Sequence, residues 1–91
     1  MDINQLILSA SSRIKPFIRK TTFSLSETFS KLVDGEVYFK LENQQFTGSF
    51  KARGALNKIL TLNESGKSIS SVISASTGNH GAAVALSLIH I

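Results

Sequence analysis

The residues best placed to do chemistry are in Thr47-Gly48-Ser49-Phe50-Lys51-Ala52-Arg53-Gly54, a small-residue turn that delivers one lysine to the expected first turn of a helix. An ammonium at that end of a helix faces the positive pole of the macrodipole, so the neutral, nucleophilic amine is favoured there. Thr47, Gly48 and Ser49 let the backbone pass close to a ligand, and Phe50 offers an apolar wall. A second turn, Ser76-Thr77-Gly78-Asn79-His80-Gly81, presents successive backbone N–H groups at another expected helix start, together with two hydroxyls and an amide. Such a turn suits a carboxylate or a phosphate. On residue type alone the plainer readings stay open: a solvated lysine, Asn79 as a helix cap, His80 as a surface imidazole, Arg53 as a charge near Glu42 or Glu64, and His90 as a helix-face residue.

The elements that must position these turns follow from periodicity. Ile3, Leu6, Ile7, Ala10 and Ile14 recur at helical spacing behind Asp2 as N-cap, and Pro16 ends the run. Ser24 and Glu27 suggest a capping box for a second, short helix carrying Phe29, Leu32 and Val33, which Gly35 stops. The period then changes to two, which predicts a strand over 36–42 with Val37, Phe39 and Leu41 on one face. Ala52, Ala55, Leu56, Ile59 and Leu60 return to helical spacing, and Ser71-Val72-Ile73-Ser74-Ala75 reads as a short buried strand before a last small-residue helix. This order predicts an α/β fold, a βαβ unit with parallel strands and both chemical turns at their carboxyl ends.

Composition removes several classes. The 91 residues hold 42% hydrophobic and 18% charged side chains, which argues against disorder, and no cysteine, which removes disulfides and thiolate chemistry. The net charge of +4 clusters at Arg13, Lys15, Arg19 and Lys20 without a nucleic-acid motif, so no nucleic-acid partner is expected. No apolar run approaches the ~20 residues of a membrane helix, and the N-terminus has no signal-peptide pattern, so no membrane partner and a cytosolic place are expected. Histidines and carboxylates show no metal-ligand spacing. Gly66-Lys67-Ser68 fails as a phosphate-loop ending because Thr61 stands where its first glycine belongs.

Taken together, the two turns resemble those of the fold-type II pyridoxal-phosphate enzymes, the tryptophan-synthase-β-like group. Within it the chain is most similar to threonine and serine dehydratases and to serine racemases. Arg13-Ile14-Lys15-Pro16, Val37-Tyr38-Phe39-Lys40-Leu41-Glu42-Asn43 and Ala75 to Gly81 extend the likeness from about Arg13 to Ala85. The resemblance implies pyridoxal 5′-phosphate as cofactor, Lys51 as its Schiff-base lysine and later the base at the substrate Cα, Phe50 beside the cofactor ring, and Asn79 hydrogen-bonded to the ring 3′-oxygen. Ser76, Thr77, Gly78, Asn79 and His80 would receive the carboxylate of a small amino-acid substrate. The implied reaction is β-elimination of a hydroxy amino acid to a 2-oxo acid and ammonia, in a full-length form that is a homo-oligomer. Serine racemase, another enzyme of the group, or a non-enzymatic anion-binding βαβ module are the alternatives. Thr77 departs from the serine that can act as second base in racemases, being bulkier and stiffer.

Family members are several times longer, and their glycine-rich phosphate cup and pyridine-nitrogen partner are not readable here. The expectation is therefore that residues 1–91 form an N-terminal fragment of the catalytic domain, inactive alone. Leu86-Ser87-Leu88-Ile89-His90-Ile91 departs from the family, and it is what CTG TCT CTT ATA CAC ATC encodes, a transposase-adapter end. Residues 86–91 are thus a candidate non-native stretch, to be checked against the nucleotide record.

Overall fold

The computed structural model describes residues 2–89. The expectation for His90, and the last two residues of the candidate non-native stretch, therefore lie outside the described residues. Asp2 caps α1 (Ile3–Ile14) by accepting the Asn4 N–H at 2.9 Å, and Pro16 sits in the 3₁₀ turn Lys15–Phe17 that follows. Proline is suited to a first helical turn because its missing N–H needs no partner there.

Two elements then differ from expectation. Phe23–Leu25 is a strand, β1, and the cap of α2 (Glu27–Val33) is Ser26, whose hydroxyl accepts the Phe29 N–H at 3.3 Å, rather than Ser24. Helix α2 ends through Asp34 in the left-handed region (φ 51°), from which Gly35 donates back to the Ser30 carbonyl. Asp can adopt this conformation at modest cost. The predicted strand over 36–42 is shortened to β2 (Tyr38–Lys40).

The predicted parallel βαβ sheet is not seen. The only sheet among the described residues is β1 antiparallel to β2, with Phe23 opposite Lys40 and Leu25 opposite Tyr38. A stacked Phe23–Tyr38 pair at 5.1 Å and an edge-on Phe29–Phe39 pair at 5.4 Å secure its two faces. Residues 71–75 form no strand, and Ile73 is 95% exposed. A buried parallel strand needs ladder partners on both edges, and none lies among the described residues.

Helix α3 (Lys51–Glu64) is the centre of packing, in contact with both α1 and α4 (Asn79–Ile89). Its buried positions are Ala52, Ala55, Leu56, Ile59 and Leu60, the stripe that the spacing selects. Ile14, Leu56 and Leu60 form the core cluster, flanked by Phe17 and Ile18. Arg13 ties α1 to α3, donating to Glu64 at 2.9 Å and to Asn57 at 2.7 Å. Helix α4 buries Ala83 and Ser87, and the Ser87 hydroxyl is satisfied by the Ala83 carbonyl at 2.7 Å. No helix among the described residues is long and apolar enough to cross a membrane.

Candidate functional site

The lysine turn begins at the 3₁₀ turn Glu42–Gln44 after β2. Gly48 takes φ 74°, a conformation that would strain other residues, and donates to the Gln45 carbonyl at 2.8 Å. The buried Ser49 accepts the Lys51 N–H at 3.3 Å, so its hydroxyl serves the first turn of α3, and Lys51 is the first helical residue. The Lys51 ammonium lies 5.4 Å from the Phe50 ring centroid and has neither hydrogen-bond nor ion-pair partner among the described residues.

Lys51 lines an open cleft of about 490 Å³ between α3, α4 and the segment around Ile69 to Ile73. Its α3 wall is Lys51, Gly54, Ala55, Lys58, Ile59 and Leu62, and His80 and Val84 close it from α4. The volume suits a small-molecule ligand. The structure thus brings Phe50, Lys51 and His80 to one cavity through helix packing, without the two parallel strands that were expected to do so. The α3 wall repeats at i, i+3, i+4, i+7, i+8 and i+11 and shares Ala55 and Ile59 with the core stripe, a wider face that sequence reading missed and could have found.

Ser76, Thr77, Gly78 and Asn79 form the turn leading to His80 but do not line the cleft. The Ser76 hydroxyl accepts the Gly78 N–H at 3.3 Å, and the Gly78 carbonyl accepts the Ala82 N–H at 3.1 Å, so Gly78 rather than Asn79 holds the helix boundary. The N–H groups of Asn79, His80 and Gly81 have no acceptor among the described residues, as an anion-receiving helix start requires. A Cβ on Gly81 would stand 2.9 Å from the Ser76 carbonyl oxygen, so the turn folds back on α4 as closely as glycine permits.

Behind the lysine turn, Arg53 donates Nε to Glu42 Oε2 and Nη2 to Glu42 Oε1, both at 2.8 Å. Of the two carboxylates open to it in sequence, Arg53 takes Glu42 and leaves Glu64 to Arg13. The Arg53 hydrogen bonds hold the Glu42 carboxyl at about 2, against an ordinary 4.5; burial opposes this, and the Thr21 hydroxyl, donating at 2.7 Å, assists it. Because the folded value is depressed, the stabilisation is complete above about pH 4.5 and is lost as pH falls toward 2. Chemical denaturation between about pH 5 and pH 2 should show a loss on the order of 2 kcal/mol, discounted for the exposure of Arg53. In Glu42→Gln that part of the pH dependence should be absent.

The residues present fit pyridoxal phosphate at two points, an unpartnered amine in a ligand-sized cleft and a helix start with free N–H groups. The sequence profile of the family described as "Pyridoxal-phosphate dependent enzyme" matches residues 14–88. The chain is 52% identical over 81 residues to the catabolic L-threonine dehydratase of Staphylococcus aureus strain N315, covering 88% of this chain and 23% of that protein. Among solved structures, a pyridoxal 5′-phosphate-dependent aspartate racemase superposes with TM-score 0.79 at 44% identity, over 92% of this chain and 27% of that one. Maize serine racemase gives 0.77 at 38% identity (96% and 28%), and a T.th. threonine deaminase gives 0.76 at 34% (96% and 31%). The chain spans about a quarter of the length of each of these relatives. With Lys51 and His80 lining one cleft, and the profile running through both turns, the chain belongs to the family of pyridoxal-phosphate-dependent enzymes.

Proposed function

We propose that the chain carries the lysine-bearing part of a threonine/serine ammonia-lyase, which eliminates the β-hydroxyl of a small hydroxy amino acid to give a 2-oxo acid and ammonia. The observation that carries this reading is Lys51, unpartnered in a cleft it shares with His80, in a chain 52% identical to a threonine dehydratase. When bound, pyridoxal phosphate supplies the electron sink that makes loss of the Cα proton feasible. Lys51 would hold the cofactor and then move the proton at the substrate Cα. Phe50 would pack beside the ring, and Asn79, whose side chain has no hydrogen bond among the described residues, would reach the ring oxygen. The backbone N–H groups around Ser76, Thr77, Gly78, Asn79 and His80 would receive the substrate carboxylate. Loss of the Cα proton and the β-hydroxyl together amounts to loss of water, and hydrolysis of the resulting enamine releases ammonia. A cytosolic place and a homo-oligomeric full-length form belong to the same proposal.

A second reading, amino-acid racemisation, draws support from the two racemase structures and from the hydroxyl of Thr77. The test is a chimera in which this chain replaces the matched segment of the S. aureus dehydratase. With L-threonine or L-serine it should release ammonia and 2-oxo acid in equal amounts. Accumulation of the D-amino acid without ammonia would favour the racemase. Neither product, from a folded chimera with a visible imine absorption, would overturn both.

A further inference from the structure

We propose that Glu42 and Arg53 are positioning residues that set the rotation of the first turn of α3 and so aim Lys51 into the cleft. This rests on the reading of Lys51 as the cofactor-bearing amine. Residues two apart on a helix project about 200° from each other, so a partner that fixes Arg53 on one side of α3 fixes Lys51 on the other. The bidentate fork, two bonds of 2.8 Å, constrains direction as well as distance.

Its anchor is itself held. Glu42 Oε1 accepts the Thr21 hydroxyl at 2.7 Å, and the Thr21 carbonyl accepts the Lys40 ammonium at 2.9 Å. The buried Gln45 side chain brackets the Arg19 backbone, accepting its N–H at 3.2 Å and donating to its carbonyl at 2.8 Å. The carboxylate is thereby joined to β2 and to the segment after α1, and it closes the loop that runs to Lys51. Between them the loop holds itself by the Gly48 N–H to Gln45 carbonyl bond and the Lys51 N–H to Ser49 hydroxyl bond, with Gly48 at positive φ.

The charges around Arg53 sharpen the argument. It lines a second, smaller cleft together with Lys15, Arg19, Lys20 and Lys40, and Glu42 is the carboxylate bonded to it. Without that carboxylate Arg53 loses both bonds of the fork, and the first turn of α3 loses its stop. A lysine at position 53 would keep the charge and lose the fork.

The test treats the 91-residue chain, its Glu42→Gln variant and its Arg53→Lys variant with pyridoxal phosphate and cyanoborohydride, and maps the pyridoxyl groups by peptide mass spectrometry. Lys58, on the same cleft wall, is the internal reference. The Lys51:Lys58 ratio should fall about tenfold in both variants, as loss of a charge-assisted fork implies, while amide protection at Ile59 and Leu60 stays unchanged. An unchanged ratio, or a fall accompanied by lost protection at Ile59 and Leu60, overturns the proposal. Should Lys51 not be labelled preferentially in the unsubstituted chain, the cofactor reading fails. The clamp is then decided by amide exchange over residues 48–53, where faster exchange in Glu42→Gln supports it and equal exchange overturns it.

Discussion

Lys51→Ala in the chimera should abolish the visible imine absorption and lower elimination on the order of 10³-fold, the scale of removing a positioned base, with no loss of stability. The two halves of that expectation come from different physics. Lys51 is exposed and its ammonium makes no hydrogen bond or ion pair among the described residues, and its contact with the Phe50 ring at 5.4 Å is worth about 0.5 kcal/mol at an exposed site. Against that small loss, alanine is the better helix former, and removing a cation from a helix N-terminus relieves about 0.3 kcal/mol or more. The stability terms therefore cancel to within a few tenths. The chemical terms do not cancel, because no neighbouring group can substitute: Lys58 shares the wall but lies seven residues along α3, about 10 Å at the rise of a helix. Melting curves that superimpose, with the absorption lost, would locate the effect at the amine. An absorption that persists in Lys51→Ala would assign the attachment to another lysine.

What could be read from sequence follows the range of the forces involved. The α3 stripe and the capping of α1 by Asp2 are local, set within a few residues, and both are as the spacing predicts. The two turns were brought together by the resemblance and by an expected parallel sheet, and helix packing instead puts Lys51 and His80 on one cleft. Strand β1 was missed because three residues are too few to show a period of two, and its existence depends on β2 beyond α2. Ser71 to Ala75 shows the converse: a strand-like composition with no ladder partner does not make a strand. The clamp behind the lysine turn was legible only as a choice between two carboxylates. It was decided in space, where Thr21 and Gln45 hold Glu42 in reach of Arg53 and Arg13 takes Glu64.

Leu56→Ala should remove about 3 kcal/mol of folding stability, the largest effect of any single truncation in the helical core. Leu56 is 0% exposed and stands between Ile14 and Leu60 where α1 crosses α3. The cost combines lost transfer free energy with a cavity that the flanking Phe17 and Ile18, only partly buried, can fill in part. The remaining core is thin, for Ile3, Leu6, Ile7 and Leu8 on α1 are all at least half exposed. A chain of this length is expected to hold about 5 kcal/mol at the lower end of the usual range, so the substitution should leave a large unfolded fraction in water. Urea titration should show the midpoint moved down by about 2 M at unchanged slope. Ile7→Ala, at a position 59% exposed, should shift it by no more than about 0.5 kcal/mol. A loss at Ile7 equal to that at Leu56 would mean that the outer face of α1 is covered in solution, and that the core extends past the α1–α3 crossing into a contact between chains.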